Sequence, residues 1–399
     1  MRIIVKVLNT TLLSILFGVA NAGSVVAAVN NFSFAFLKQA TNNSSGKNVV
    51  LSPFSAYAVF ALLYPGASGN NKKQLQQVFQ FPANLQDLKI LNNSLEVSSD
   101  NGNGLWLANS AWKNDDIALL PDYQQAINKY FSSKVFTVNF DKNSGVLAAN
   151  TINTWILQHT DNMINNMLKP SDVYRNKLVL VNALYFEAPW LNVFTKDATK
   201  NKDFFVGAGR AVQLPMMTQT NYFYYIDNNQ MQMLQLPYKN DFYSLLVILP
   251  KPNISLAAVI NGLTAKRLAA WQQQAISSRV HVQLPKINLT QQLNLNALLQ
   301  SMGVVSAFSG DQGLAFTSLS KTPLSISKVL QQTHLELDEQ GTKAAAATTI
   351  GMMTMAMGGE APPKPIDFNV NRPYLLLLKN NATGVIVFMA ALTNPELIP

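Results

Sequence analysis

The chain has 399 residues, 48% of them hydrophobic, and its 30 basic against 21 acidic side chains give a formal net charge of +9. It contains no cysteine, which excludes disulfides and thiolate chemistry. The basic residues are scattered rather than gathered on one run, so nothing marks a nucleic-acid footprint.

In chain order, Arg2 and Lys6 form a positive n-region and Val7–Val19 an apolar stretch shorter than the roughly 20 residues of a spanning helix. Ala20-Asn21-Ala22 completes an A-x-A cleavage pattern, so residues 1–22 are expected to be a cleaved export signal. The mature chain is then 399 − 22 = 377 residues with a charge of 28 − 21 = +7, since Arg2 and Lys6 leave with the signal. No later stretch reaches the roughly 18 apolar residues of a membrane span. The expected location is secreted or extracellular, the periplasm being the alternative, and the pattern suits a bacterial protein. Without a Ser/Gly linker, charge block or fixed repeat, residues 23–399 read as a single domain, expected to be a monomer.

Phe32–Ala40 has helical spacing behind Asn30-Asn31, a fair N-cap. A short β-type run breaks at Ser52-Pro53, where proline suits the first turn of a helix ending near Pro65-Gly66. Ala148–Leu168 reads as one helix with Ile152, Trp155, Ile156, Met163, Ile164 and Met167 inward. Beyond it the texture becomes strand-like. KLVLVNALYF, MQMLQLPYK, FYSLLVILP, RVHVQLPKI and LSISKVLQQTHLELDE are apolar or alternating runs, and YLLLLKN and GVIVFMAAL close the chain as a hairpin through Asn380-Asn381. Helices first and strands later make the fold class α+β with large sheets.

Catalytic chemistry finds no constellation. The three histidines, His159, His281 and His334, form no H-E-x-x-H or close pair. G-x-S-x-G and G-x-x-x-x-G-K-[ST] do not occur. S-x-x-K occurs at Ser44/Lys47, Ser110/Lys113, Ser318/Lys321 and Ser325/Lys328, but Lys321-Thr322 runs into Pro323 instead of completing K-T-G, and S-D-N is missing. The chain therefore reads as a non-enzyme, with no cofactor and no metal.

One segment asks for a different explanation: 339-EQGTKAAAATTIGMMTMAMGGEAPPKP-365. On a two-residue period Thr342, Ala344, Ala346 and Thr348 share one face, all small, while Lys343 falls on the other. No proline occurs between Glu339 and Ala361, so a strand made from this segment lacks no ladder donor. Taken alone, the segment leaves an inserted strand and a short alanine helix equally open.

The ordered motifs resemble the serpin family across nearly the whole mature chain. N-x-x-x-S-P-x-S stands as Asn48, Ser52, Pro53 and Ser55, and I-N-x-W as Ile152, Asn153 and Trp155. N-A-x-Y-F-x-x-x-W is Asn182, Ala183, Tyr185, Phe186 and Trp190. Pro215–Met217, Leu236–Tyr238, Ser244–Pro250, Leu284–Lys286, Arg372–Tyr374 and Asn394-Pro395 follow in the family's order. The resemblance implies helices plus three β-sheets, a large central sheet, and an exposed reactive-centre loop over about 339–365.

It further implies a hinge at Glu339, Gly341, Thr342, Ala344, Ala345, Ala346, Ala347 and Thr348. Family spacing places the reactive bond at Met355–Ala356, flanked by Met353, Thr354 and Met357. A latch of Ser52, Ser55, Asn182 and Gln331 is expected to hold the sheet centre, with Trp190 at its breach. The implied activity is suicide inhibition of serine, or also cysteine, proteases: the cut loop enters the central sheet and traps the acyl-enzyme. Methionine before the cut points to elastase-, chymotrypsin- or subtilisin-like targets with a hydrophobic primary pocket. The alternative is a serpin-fold protein that binds or is cleaved without trapping. The sequence departs from the family at Gln331 for histidine, Glu187 for lysine and Ala390-Ala391 for Gly-Arg, and in a longer stretch from Ala356 to Phe368. FPANLQDLKILNNSLEV holds only Lys89, so no heparin-type cofactor is expected.

Overall fold

The continuous apolar runs become strands buried on both faces, and they set the architecture. The structure, a computed structural model, describes residues 25–44, 46–82, 84–87, 89, 104–131, 135–207, 209–239, 241–309, 311–342 and 363–395. The expected export signal lies outside these residues, as does Lys343–Pro362. The strands are β1 (Val49–Leu51), β2 (Gly104–Asn114), β3 (Val135–Val138), β4 (Leu178–Pro189), β5 (Lys200–Gly207), β6 (Arg210–Asp227), β7 (Met231–Pro237), β8 (Tyr243–Pro250), β9 (Ile276–Pro285), β10 (Ile287–Asn294), β11 (Lys328–Leu337), β12 (Gly341–Thr342), β13 (Ile366–Asn369), β14 (Tyr374–Asn380) and β15 (Ile386–Leu392).

They form a nine-stranded sheet in the order β1-β15-β14-β8-β7-β6-β9-β13, with β5 on β6, and a six-stranded sheet in the order β10-β11-β12-β4-β2-β3. Where three sheets are expected, hydrogen bonding joins two of them. The 18-residue β6 pairs with β5 through Arg210–Met216, with β9 through Met216–Tyr225, and with β7 through Tyr224–Asp227. One long strand thus belongs to both halves of the nine-stranded sheet.

Helix α1 (25–43) extends the predicted 32–40 segment at both ends. Helix α2 (Pro53–Leu63) is apolar on every side and almost wholly buried, because it lies between β4 and β15 and so between the two sheets. Pro53 opens it and Ser52 caps it, its Oγ accepting from Ser55 N at 3.2 Å. Helix α3 (Val146–His159) covers the other face of the six-stranded sheet, where Ile152 and Ile156 meet Val179, Val181 and Tyr185. It stops nine residues before the predicted end. Asp161, Asn162 and Asn166 adopt left-handed backbone (φ 49°, 60° and 50°), and Asn162 N caps Leu157 O at 2.9 Å. The apolar spacing persists past the break because the turn folds back: Asn153 exchanges two hydrogen bonds with the Leu168 backbone (2.8 and 2.9 Å), which seats Ile164 and Met167 in the same layer.

Candidate functional site

The six-stranded sheet is closed below and split above. β4 and β11 pair directly and in parallel from Val179↔Lys328 to Tyr185↔His334. Above that point they separate, and β12 fills the gap, antiparallel to both, with Gly341↔Pro189 and Thr342↔Ala188 on one side and Leu337↔Thr342 on the other.

A tight reversal puts it there. Asp338 Oδ1 accepts from Gln340 N (2.8 Å) and Gly341 N (3.1 Å), and Asp338 N donates to Gly341 O (2.9 Å). Gly341 is required by close approach: a Cβ at this position would lie 2.2 Å from Ala188 O and 2.7 Å from Pro189 Cα. Thr342 is 1% exposed, and its hydroxyl lies 2.7 Å from that of the buried Tyr238. The segment expected to be an exposed loop from residue 339 therefore begins as buried strand. Ala344, Ala345, Ala346, Ala347 and Thr348, and Met353, Thr354, Met355, Ala356 and Met357, lie outside the described residues.

Trp190 closes the top of the gap. Its indole stacks on Tyr238 (centroids 4.5 Å apart, 12° between planes), its Nε1 donates to Asp338 O at 3.0 Å, and its backbone N donates to Gln340 O at 2.9 Å. Glu339 is buried beside it. Lys286 Nζ reaches its Oε2 at 2.8 Å, Thr199 Oγ1 donates to its Oε1 at 2.7 Å, and Phe194 N donates to its carbonyl at 2.8 Å. Burial pushes this carboxyl up, but the Lys286 and Thr199 hydrogen bonds and the Lys286 charge outweigh it and hold it below the usual carboxylate range.

A depressed carboxyl stabilises the fold fully above the unfolded value, near 4.3, and that contribution is lost as pH falls through the native value. The melting-temperature difference between wild type and Glu339→Gln should therefore shrink between about pH 6 and about pH 3. A difference that stays constant over that range means the Glu339 carboxylate does not anchor the hinge.

At the sheet centre, Gln331 is 1% exposed and spans to the start of α2. Its Oε1 accepts from Ser52 N (3.0 Å) and its Nε2 donates to Ser52 O (2.8 Å). Ser52 Oγ donates to Val387 O of β15 at 2.8 Å and lies 2.9 Å from Ser55 Oγ. Glutamine thus ties β11 through α2 to the other sheet by way of the Ser52 backbone, not the serine hydroxyls. Asn182, directly across from Gln331 on β4, does not join. Its amide is fully buried, and among the described residues neither Nδ2 nor Oδ1 has a hydrogen-bond partner. Gln331→Ala should cost about 1–3 kcal/mol, because it leaves a buried backbone N–H unpaired; urea unfolding measures it, and a cost below about 0.5 kcal/mol sinks this assignment.

Sequence reading missed three partners of the hinge: Tyr238, Lys286 and Thr199. The first two sit in motifs quoted above, Leu236–Tyr238 and Leu284–Lys286, but a motif does not disclose what its side chain touches. The histidines serve neighbours: His159 stacks on Trp155, with its Nδ1 2.7 Å from Trp155 O, and the Nδ1 atoms of His281 and His334 lie 2.9 Å from Thr220 and Thr290 hydroxyls.

A family model described as Serpin (serine protease inhibitor) matches residues 27–395. The chain is 30% identical to an uncharacterized serpin-like protein of Methanosarcina mazei, over 94% of this chain and 90% of that one. It is 30% identical to the glia-derived nexin of Homo sapiens, over 92% of each. The crystal structure of native protease nexin-1 with heparin superposes with a TM-score of 0.82 at 27% identity, over 94% of this chain and 100% of that one. Family model, relatives and fold agree, and the chain belongs to the serpin family, whose members are generally protease inhibitors and not enzymes.

Proposed function

We propose that the protein is a secreted, single-use trap for serine proteases, with cysteine proteases as a secondary class. A protease with a hydrophobic primary pocket cuts Met355–Ala356 and forms its acyl-enzyme. The freed arm then enters the six-stranded sheet between β4 and β11, dragging the protease with it. The observation that carries this reading is that the arm's first two residues, Gly341 and Thr342, already occupy the gap as an antiparallel strand.

The register extends without adjustment. One step forward on the hinge is one step back on both neighbours, so Ala344 comes between Phe186 and Leu335, Ala346 between Leu184 and Thr333, and Thr348 between Asn182 and Gln331. Leu184, Phe186 and Leu335 belong to the same buried layer, which admits only small side chains beside them. Thr348 would bring a hydroxyl to the Asn182 amide, which has no partner among the described residues. Insertion parts seven parallel pairs between β4 and β11 and replaces them with two antiparallel ladders, which gain hydrogen bonds along the whole strand. Export through residues 1–22 belongs to this reading, as does action as a monomer; among the described residues no helix is long and apolar enough to cross a membrane.

Incubation with elastase-, chymotrypsin- and subtilisin-like proteases should yield an SDS-resistant complex at a ratio near one to one. Complete cleavage with undiminished protease activity would leave a serpin fold that is only a substrate.

A further inference from the structure

Away from the split sheet, a groove of about 590 Å³ opens between Phe205 of β5, the Pro250–Ile254 turn after β8, helix α4 (Leu256–Asn261) and the Asn371–Pro373 corner before β14. No residue of β4, β11 or β12 lines it. Its walls are mostly apolar: Phe205, left 46% exposed, lines it together with Ile254, Pro252 and Pro373. Phe205 N donates to Asn371 O at 2.8 Å, which fixes the two walls relative to each other.

Among the described residues one charged side chain lines this groove, Arg372. Its Nε donates to Pro250 O at 2.8 Å and its Nη1 to Asn371 Oδ1 at 3.1 Å, which clamps the guanidinium in place. A guanidinium has five N–H donors, so these two bonds leave three without a protein acceptor among the described residues. Arg372 forms no ion pair with a described carboxylate, and no described acidic residue lines the groove. Neighbouring Lys251 differs: Asp227 neutralises it at 2.5 Å. At Arg372 burial pulls the pKa down. A half-desolvated, pre-positioned fork with donors to spare matches a carboxylate. The volume falls within the range of small-ligand sites. At the rim, Ser255 Oγ accepts from Ala258 N at 3.1 Å and keeps its own proton to donate.

We propose that this groove binds a small amphipathic carboxylate, its charged end on Arg372 and its hydrocarbon body over Phe205, Ile254 and the adjacent prolines. Such a ligand would act independently of the protease-trapping site.

Decanoate is the probe. Calorimetric titration into the protein should show a single site with Kd on the order of 100 µM. Affinity should rise about fourfold per added methylene from octanoate to dodecanoate. Decanol, equally apolar but uncharged, should bind at least about tenfold more weakly. Ala257→Trp, which projects an indole into the groove from an exposed position on α4, should abolish saturable binding without lowering the melting temperature of the free protein. Arg372→Lys keeps the charge and loses the planar fork, so it should weaken decanoate more than decanol. Should that variant fold poorly through loss of the Pro250 contact, Ala257→Trp and the decanol comparison still decide. Equal binding of decanol and decanoate, binding that survives Ala257→Trp, or no saturation below about 5 mM overturns the proposal.

Discussion

Cleavage between Met355 and Ala356 should raise the melting temperature of the protein by about 20 °C. Among the described residues of the intact chain, Gly341 and Thr342 occupy the gap between β4 and β11. Continuing the strand to about Thr348 and beyond adds about ten ladder hydrogen bonds at about 1 kcal/mol each. For a chain of this size each kcal/mol moves the midpoint by about 2 °C. Part of that gain should come from Asn182, whose buried amide has no partner among the described residues before insertion and would meet the Thr348 hydroxyl after it. Thr348→Val, which keeps shape and removes the hydroxyl, should leave the intact protein unchanged and reduce the rise by about 2–4 °C. Scanning calorimetry before and after limited proteolysis measures both. A nicked protein that melts where the intact one does holds no reserve of stability, and trapping then has no driving force.

Thr342→Arg should convert the inhibitor into a substrate. Thr342 is 1% exposed against Tyr238, so an arginine there must either bury an unpaired charge or keep the hinge out of the sheet. A penalty of about 3 kcal/mol slows insertion roughly 100-fold. Deacylation then wins, and the protein consumed per protease inhibited should rise from about one to more than about ten. Lys343 falls on the opposite face by the two-residue period, so Lys343→Ala should trap as wild type does. Titration of residual protease activity distinguishes the two variants. Trapping retained by Thr342→Arg removes the hinge from the mechanism.

What the candidate site owes to local sequence is its alternation. The small face of Thr342, Ala344, Ala346 and Thr348, the run without proline, and the scarcity of catalytic side chains are all readable from neighbouring residues, because strand period and side-chain volume are local properties. The strands themselves are legible for the same reason. The Ala148–Leu168 reading overran its helix because apolar spacing continues through a backbone reversal that only the left-handed Asp161, Asn162 and Asn166 reveal.

Tertiary structure decided everything that depends on pairing across distance. It seated Gly341 against Ala188 O, brought Lys286 and Thr199 to Glu339, set Gln331 on the Ser52 backbone, and left Asn182 with no partner among the described residues. It also fused two expected sheets into one through β6. These contacts join residues far apart in the chain, and their energies come from desolvation and hydrogen-bond geometry. Composition and periodicity carry neither, so the sequence by itself determined which segment can become a strand, and the fold decided where that strand has room to go.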